Sequence, residues 1–156
     1  MLYFAYGSNL HWGQLKGRCP SARFVCVAKL PGYRLSFTRF SPRRRCGVAD
    51  VVVVGGSEVW GVIYEIEECD FTPLDEFEGH VPGRRGNAYE RIELQMLREG
   101  DEAQPVTAWI YVVADKSEQE HVTSAEYKRL VTEGARHWQL PEAYIELLDE
   151  IPAVGI

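Results

Sequence analysis

No cysteine pair, no long apolar run and no glycine-rich phosphate loop organises this chain. Its four cysteines, Cys19, Cys26, Cys46 and Cys69, form no CxxC unit, and His11, His80, His121 and His137 are scattered without metal-ligand spacing. Neither a metal nor an organic cofactor is expected from that pattern. A domain near this length buries roughly 68–70% of its unfolded surface and folds without disulfides. We therefore expect the cysteines to be reduced and structural. Nothing approaches the roughly 18 consecutive apolar residues that a membrane span requires. No charged region precedes an apolar one at the start, so no secretory signal is expected, and the cytoplasm is the expected compartment. The formal net charge of −6 argues against a nucleic-acid partner. Repeats, low-complexity tracts and linkers are also missing, which leaves one domain over residues 1–156.

What the chain does hold is 46% hydrophobic and 26% charged residues, the composition of a globular domain. Residues 2–6 are apolar without alternation, the mark of a strand buried on both faces. A short helix is expected over 9–16, ending at Gly17. Strands follow at 21–30, with Phe24, Cys26 and Ala28 on one face, and at 33–40, with Tyr33, Leu35 and Phe37 on one side. Gly55-Gly56 reads as a hairpin turn between strands 48–54 and 57–66. Phe71, Leu74 and Phe77 have helical spacing over 68–78, and Leu74 and Phe77 are expected to face the core. Strands 89–97 and 106–114 come next, then helices near 124–137, capped by Ser124, and 141–150, with Pro141 in its first turn. Mostly consecutive strands without βαβ alternation predict an α+β fold: a strongly curved sheet or a small barrel of about six to seven strands, with flanking helices.

Two stretches carry chemistry. In "LYFAYGSNL" a buried strand breaks at Gly7, Ser8 and Asn9 and opens a helix. Such a turn offers unpaired N–H donors to a carboxylate, phosphate or oxyanion. It is neither GxGxxG nor a P-loop, and a plain strand-to-helix turn with Ser8 as cap fits the same pattern. In "LDEFEG" three carboxylates, Asp75, Glu76 and Glu78, crowd the end of a helix closed by Gly79. The negative end of a helix and like charges both favour a protonated carboxyl. That suits a general base better than a stabilising surface charge.

"YFAYGSNL", "EVWGVIYEI", "LDEFEG", "AYERIEL" and "SAEYKRLVTEGARHWQLPEAYIELL" occur in this order along the chain. Together they resemble the γ-glutamylcyclotransferases (the AIG2-like, γ-glutamylamine cyclotransferase-like superfamily) over nearly its whole length. The resemblance implies that family's small mixed barrel. It also implies an enzyme that converts a small γ-glutamyl amide to 5-oxoproline and a free amine, by attack of the substrate's own α-amine. Carried over residue by residue, the turn Tyr6, Gly7, Ser8, Asn9 and Leu10 would bind the γ-glutamyl group, and Glu78 would be the catalytic base. Tyr89 and Tyr127 would line the substrate pocket, with Tyr111 a weaker third. No cofactor is implied.

Two basic loops, "PRRRC" (42–46) and "GRRG" (83–86), stand apart from the motif. Solvated arginines are one reading. The other is recognition of an anionic leaving group or an acidic carrier protein by Arg84 and Arg85. Which amine leaves, whether the substrate is free or carrier-bound, and what Arg43, Arg44 and Arg45 do are left open. His80 is placed at the pocket rim or on an exposed loop. Two other functions fit the same pocket: a γ-glutamyl-binding module without turnover, and a water-using amidase.

Overall fold

Strand β1 (Leu2–Ala5) buries Tyr3, Phe4 and Ala5, as an apolar strand without alternation must. It sits at the seam of a closed mixed barrel of order β1-β3-β2-β4-β5. It pairs antiparallel with β3 (Cys46–Glu65) and parallel with β5 (Pro105–Val113). β4 (Tyr89–Arg98) joins β5 to β2 (Arg23–Ser41). The computed structural model describes residues 1–155. Phe4, Leu30, Ile63, Met96 and Ile110 are fully buried and contributed by all five barrel strands.

The barrel has five strands because two pairs of expected strands are each one long strand. β2 and β3 pair from Arg23↔Glu65 to Ser41↔Cys46. The hairpin expected at Gly55-Gly56 is absent. Pro31 pairs with Glu58 and Tyr33 with Val53, so residues 54–57 bulge out opposite Gly32 and the ribbon bends there without reversing. The reversal comes at 42–45, inside the arginine loop. A second bulge, between Phe24 and Cys26, puts Phe24 on the outside, stacked on Trp138 at 4.5 Å.

The N-terminal helix also differs from the expectation. A 3-10 turn (Ser8–Leu10) is followed by α1 (Trp12–Arg18), whose cap is the His11 ring accepting from the Gln14 N–H at 3.3 Å. Gly17 therefore lies inside the helix. α2 (Glu68–Phe77) follows β3. α3 (Ala125–His137) is capped by Ser124 as expected, its Oγ accepting from the Tyr127 N–H at 3.0 Å. α4 (Glu142–Asp149) begins one residue after Pro141. Two short parallel strands, β6 (Thr123–Ser124) and β7 (Ala153–Val154), were not legible in the sequence. Cys19, Cys26 and Cys46 are free and buried, whereas Cys69 is exposed and so has no part in the core. No helix among the described residues is long and apolar enough to cross a membrane.

Candidate active site

One pocket of about 380 Å³ is walled by the β1–α1 turn, the end of α2, the tip of the β2–β3 ribbon and three barrel tyrosines. The turn contributes Tyr6, Gly7, Ser8 and Asn9. Its first internal donor is the Leu10 N–H, bonded to the Gly7 carbonyl at 3.0 Å, so the amides ahead of it have no partner within the turn. Leu10 itself lies outside the pocket. It is fully buried against α3, where a Cβ on Gly134 would come within 2.3 Å of its carbonyl carbon. Its role is packing, and its contact with substrate is not supported.

Glu78 caps α2, its N–H bonded to the Leu74 carbonyl at 3.0 Å, and Gly79 follows at φ +64°. That left-handed residue turns the chain so that the Glu78 side chain enters the pocket, 17% exposed. Its Oε1 accepts from Asn9 Nδ2 at 3.3 Å and lies 3.9 Å from Arg18 Nη1. Burial raises its pKa above the ordinary value, while Arg18, Arg44, Arg43 and the Asn9 bond pull it back. The direction agrees with the sequence, but the cause does not. Asp75 is turned inward to accept from the Tyr111 hydroxyl and lies 3.4 Å from Arg91 Nε, and Glu76 is exposed, so desolvation rather than like charge raises Glu78.

The tyrosines divide by what their hydroxyls do. Tyr6 donates to the Tyr111 carbonyl, and Tyr89 donates to the Ala49 carbonyl at 2.6 Å. Tyr127 instead accepts from the Ala49 N–H at 3.1 Å, which leaves its own proton uncommitted. Asn9 uses its whole amide: Nδ2 donates to Tyr3 and Glu78, and Oδ1 accepts from Gln14 at 3.0 Å and Arg18 at 3.1 Å.

Comparison with known proteins places the chain in one family. Residues 3–129 match the family described as Gamma-glutamyl cyclotransferase, AIG2-like. The chain belongs to that family. It is 37% identical to the mouse protein named Gamma-glutamylcyclotransferase, over 96% of this chain and 78% of that one. It is 34% identical to the human protein of the same name, over the same shares. A solved structure titled Gamma-glutamyl cyclotransferase superposes with a TM-score of 0.89 at 31% identity, covering 100% of this chain and 90% of the other.

Sequence reasoning missed what this member of the γ-glutamyl cyclotransferase family places around Glu78. Four arginines, Arg18, Arg39, Arg43 and Arg44, line the pocket. Arg18 is nearly buried, and its guanidinium lies 4.4 Å from the centre of the Phe77 ring. Phe77, expected in the core, is 45% exposed and serves as that platform. Arg44 Nη2 donates to Gln14 Oε1 at 3.0 Å and Ser8 Oγ at 3.4 Å. Arg84 and Arg85 are not in the wall. Arg84 Nε is bound to Asn87 Oδ1 at 2.8 Å and its Nη2 to the Gly79 carbonyl at 3.2 Å, while Arg85 is exposed. His80 is at neither expected place. It is buried, with Nδ1 3.2 Å from the Tyr89 carbonyl and 3.3 Å from Glu90 Oε2, and clips the 79–88 loop to β4. The missing signal was the ribbon: with the turn at 42–45, the arginine loop arrives over the pocket.

Proposed function

We propose that this pocket closes a small γ-glutamyl amide to 5-oxoproline and releases the free amine, with Glu78 moving the proton. The carboxylate takes a proton from the substrate's α-ammonium. The freed amine attacks the γ-carbonyl carbon, forming the ring C–N bond and an oxyanion. The amides at Gly7, Ser8 and Asn9 donate to that oxygen, a role worth roughly 3–4 kcal/mol per donor. Glu78 returns the proton to the leaving nitrogen as its bond to carbon breaks and the oxyanion collapses to the lactam carbonyl, and the ring nitrogen gives up its second proton to the released amine. A buried carboxylate with a raised pKa is a better base than an exposed one, and a positioned acid–base group contributes on the order of 10² to 10⁴ in rate. Tyr127 has a proton to donate to substrate, whereas Tyr6 and Tyr89 offer only acceptor oxygens and ring faces.

The observation that carries this reading is the Asn9–Glu78 hydrogen bond, which holds the base beside the turn that would bind the carbonyl. A binding module would gain little from a desolvated carboxylate at that place. Arg84 and Arg85 lie outside the pocket wall, so they give no support to a carrier-bound leaving half. Product analysis over a panel of γ-glutamyl compounds tests the proposal. 5-Oxoproline supports it, glutamate would assign a water-using amidase, and no product would assign a binding module.

A further inference from the structure

The pocket wall carries more positive charge than a γ-glutamyl head uses. Four arginines and two glutamates line it, in a protein of net charge −6. Arg18 is matched to Glu78. Among the described residues, Arg39, Arg43 and Arg44 take part in no ion pair. Glu76, the other acid in the wall, is exposed. Like charges gathered without partners oppose folding, so their placement asks for a compensating ligand. A γ-glutamyl head brings one carboxylate, with its own ammonium beside it.

These arginines are also held ready. The Arg44 guanidinium lies 5.1 Å from the Tyr127 ring centre and spends only Nη2 on Gln14 and Ser8. Its remaining N–H groups are free for a fork-like contact with a carboxylate. Arg43 sits 5.7 Å from the Phe77 ring, across from Arg18 on the same platform. Arg39 extends from β2 one turn before the loop, half-buried. Arg43 and Pro42 are exposed whereas Tyr3 is buried, so the arginines stand at the mouth, where the half of the substrate beyond the scissile bond would lie.

We propose that Arg39, Arg43 and Arg44 form an anion subsite for the leaving half of the substrate, and that the preferred leaving amine is an acidic amino acid carrying two carboxylates. This rests on the pocket's being a γ-glutamyl site. It moves anion recognition from the 83–86 loop to the ribbon tip, and it ranks substrates by charge. γ-Glutamyl-glutamate is preferred over γ-glutamyl-alanine, which is preferred over γ-glutamyl-ethylamide.

Two measurements on the same three compounds test the ranking. The first is kcat/KM for the wild-type protein and for Arg43→Ala/Arg44→Ala. The second is calorimetric titration into Glu78→Gln with and without those two changes, which needs no turnover. We expect roughly tenfold preference per carboxylate in the wild type, from one charge-assisted hydrogen bond each. In the double variant the spread falls below about threefold. Raising salt on the wild-type protein must shrink the same spread, a check that does not depend on the variants' folding. A flat wild-type series, or a spread that survives both the variant and salt, overturns the subsite. Graded binding that the variant abolishes, in a protein that turns nothing over, would keep the subsite and sink the cyclotransferase reading alone.

Discussion

Asn9 Nδ2 donates to Glu78 Oε1 at 3.3 Å, joining the turn after the first strand to a carboxylate 69 residues further along the chain. The same amide is held by Tyr3, Gln14 and Arg18, so it has one orientation. Through it Glu78 and the backbone of the turn keep a fixed separation, which is what the proposed intramolecular acyl transfer asks of its protein.

Glu78→Gln keeps the shape and the oxygen that accepts from Asn9 but removes the base. Turnover should fall at least ~10²-fold, with thermal unfolding and substrate binding largely retained. A variant holding more than about a tenth of wild-type kcat would remove Glu78 from the proton-transfer role.

Asn9 acts on Glu78 through position and charge. The base must be ionised in the free enzyme, so kcat/KM falls as pH drops through its pKa. Because burial raises that pKa, the acid limb should lie above the ordinary Glu value of roughly 4.3. Asn9→Ala removes a bond that favours the carboxylate, and Asn9→Asp adds a like charge. Both should move the limb to higher pH, Asp further than Ala. Arg44→Gln should move it the same way. A pH–rate profile unchanged in all three would contradict the linkage.

Gly7 and Ser8 separate backbone from side-chain function. A Cβ at Gly7 would meet Tyr127 Oη at 3.0 Å and the Ala49 Cβ at 3.2 Å, so even Cβ needs a neighbour to give by a few tenths of an ångström, and the two Cγ atoms of Gly7→Val add to that crowding beside Tyr127. Ser8→Ala loses a 2.8 Å bond from Gln14 and a 3.4 Å bond from Arg44 but leaves the backbone of the turn in place. Kinetics should find Gly7→Val severely impaired and Ser8→Ala within about tenfold of wild type. A fully active Gly7→Val would exclude the turn from the site.

The barrel, the four helices, the cap at Ser124 and the place of Glu78 were legible because each rests on local pattern: apolar spacing, a cap residue, a glycine after a helix. The ribbon was not. Gly55-Gly56 has the composition of a hairpin turn, and only the pairing of Pro31 with Glu58 and of Tyr33 with Val53 across the strands makes it a bulge. That one long-range choice sets where the chain reverses, and so which arginines reach Glu78. Leu10 and Phe77 exchanged expected roles for a similar reason. α3 covers Leu10, and two guanidiniums on Phe77 leave it facing the pocket.

The nucleophile decides the central claim. An amidase and a cyclotransferase both place Glu78 beside a carbonyl held by amides, and they differ in what Glu78 deprotonates. A held intramolecular amine is favoured over free water by roughly 7–11 kcal/mol. The direct measurement is reaction in ¹⁸O-labelled water with a γ-glutamyl amino acid and its N-acetyl derivative, followed by mass spectrometry. The account predicts unlabelled 5-oxoproline from the first and no reaction from the second. Labelled glutamate as the main product, or turnover of the N-acetyl compound, would contradict it.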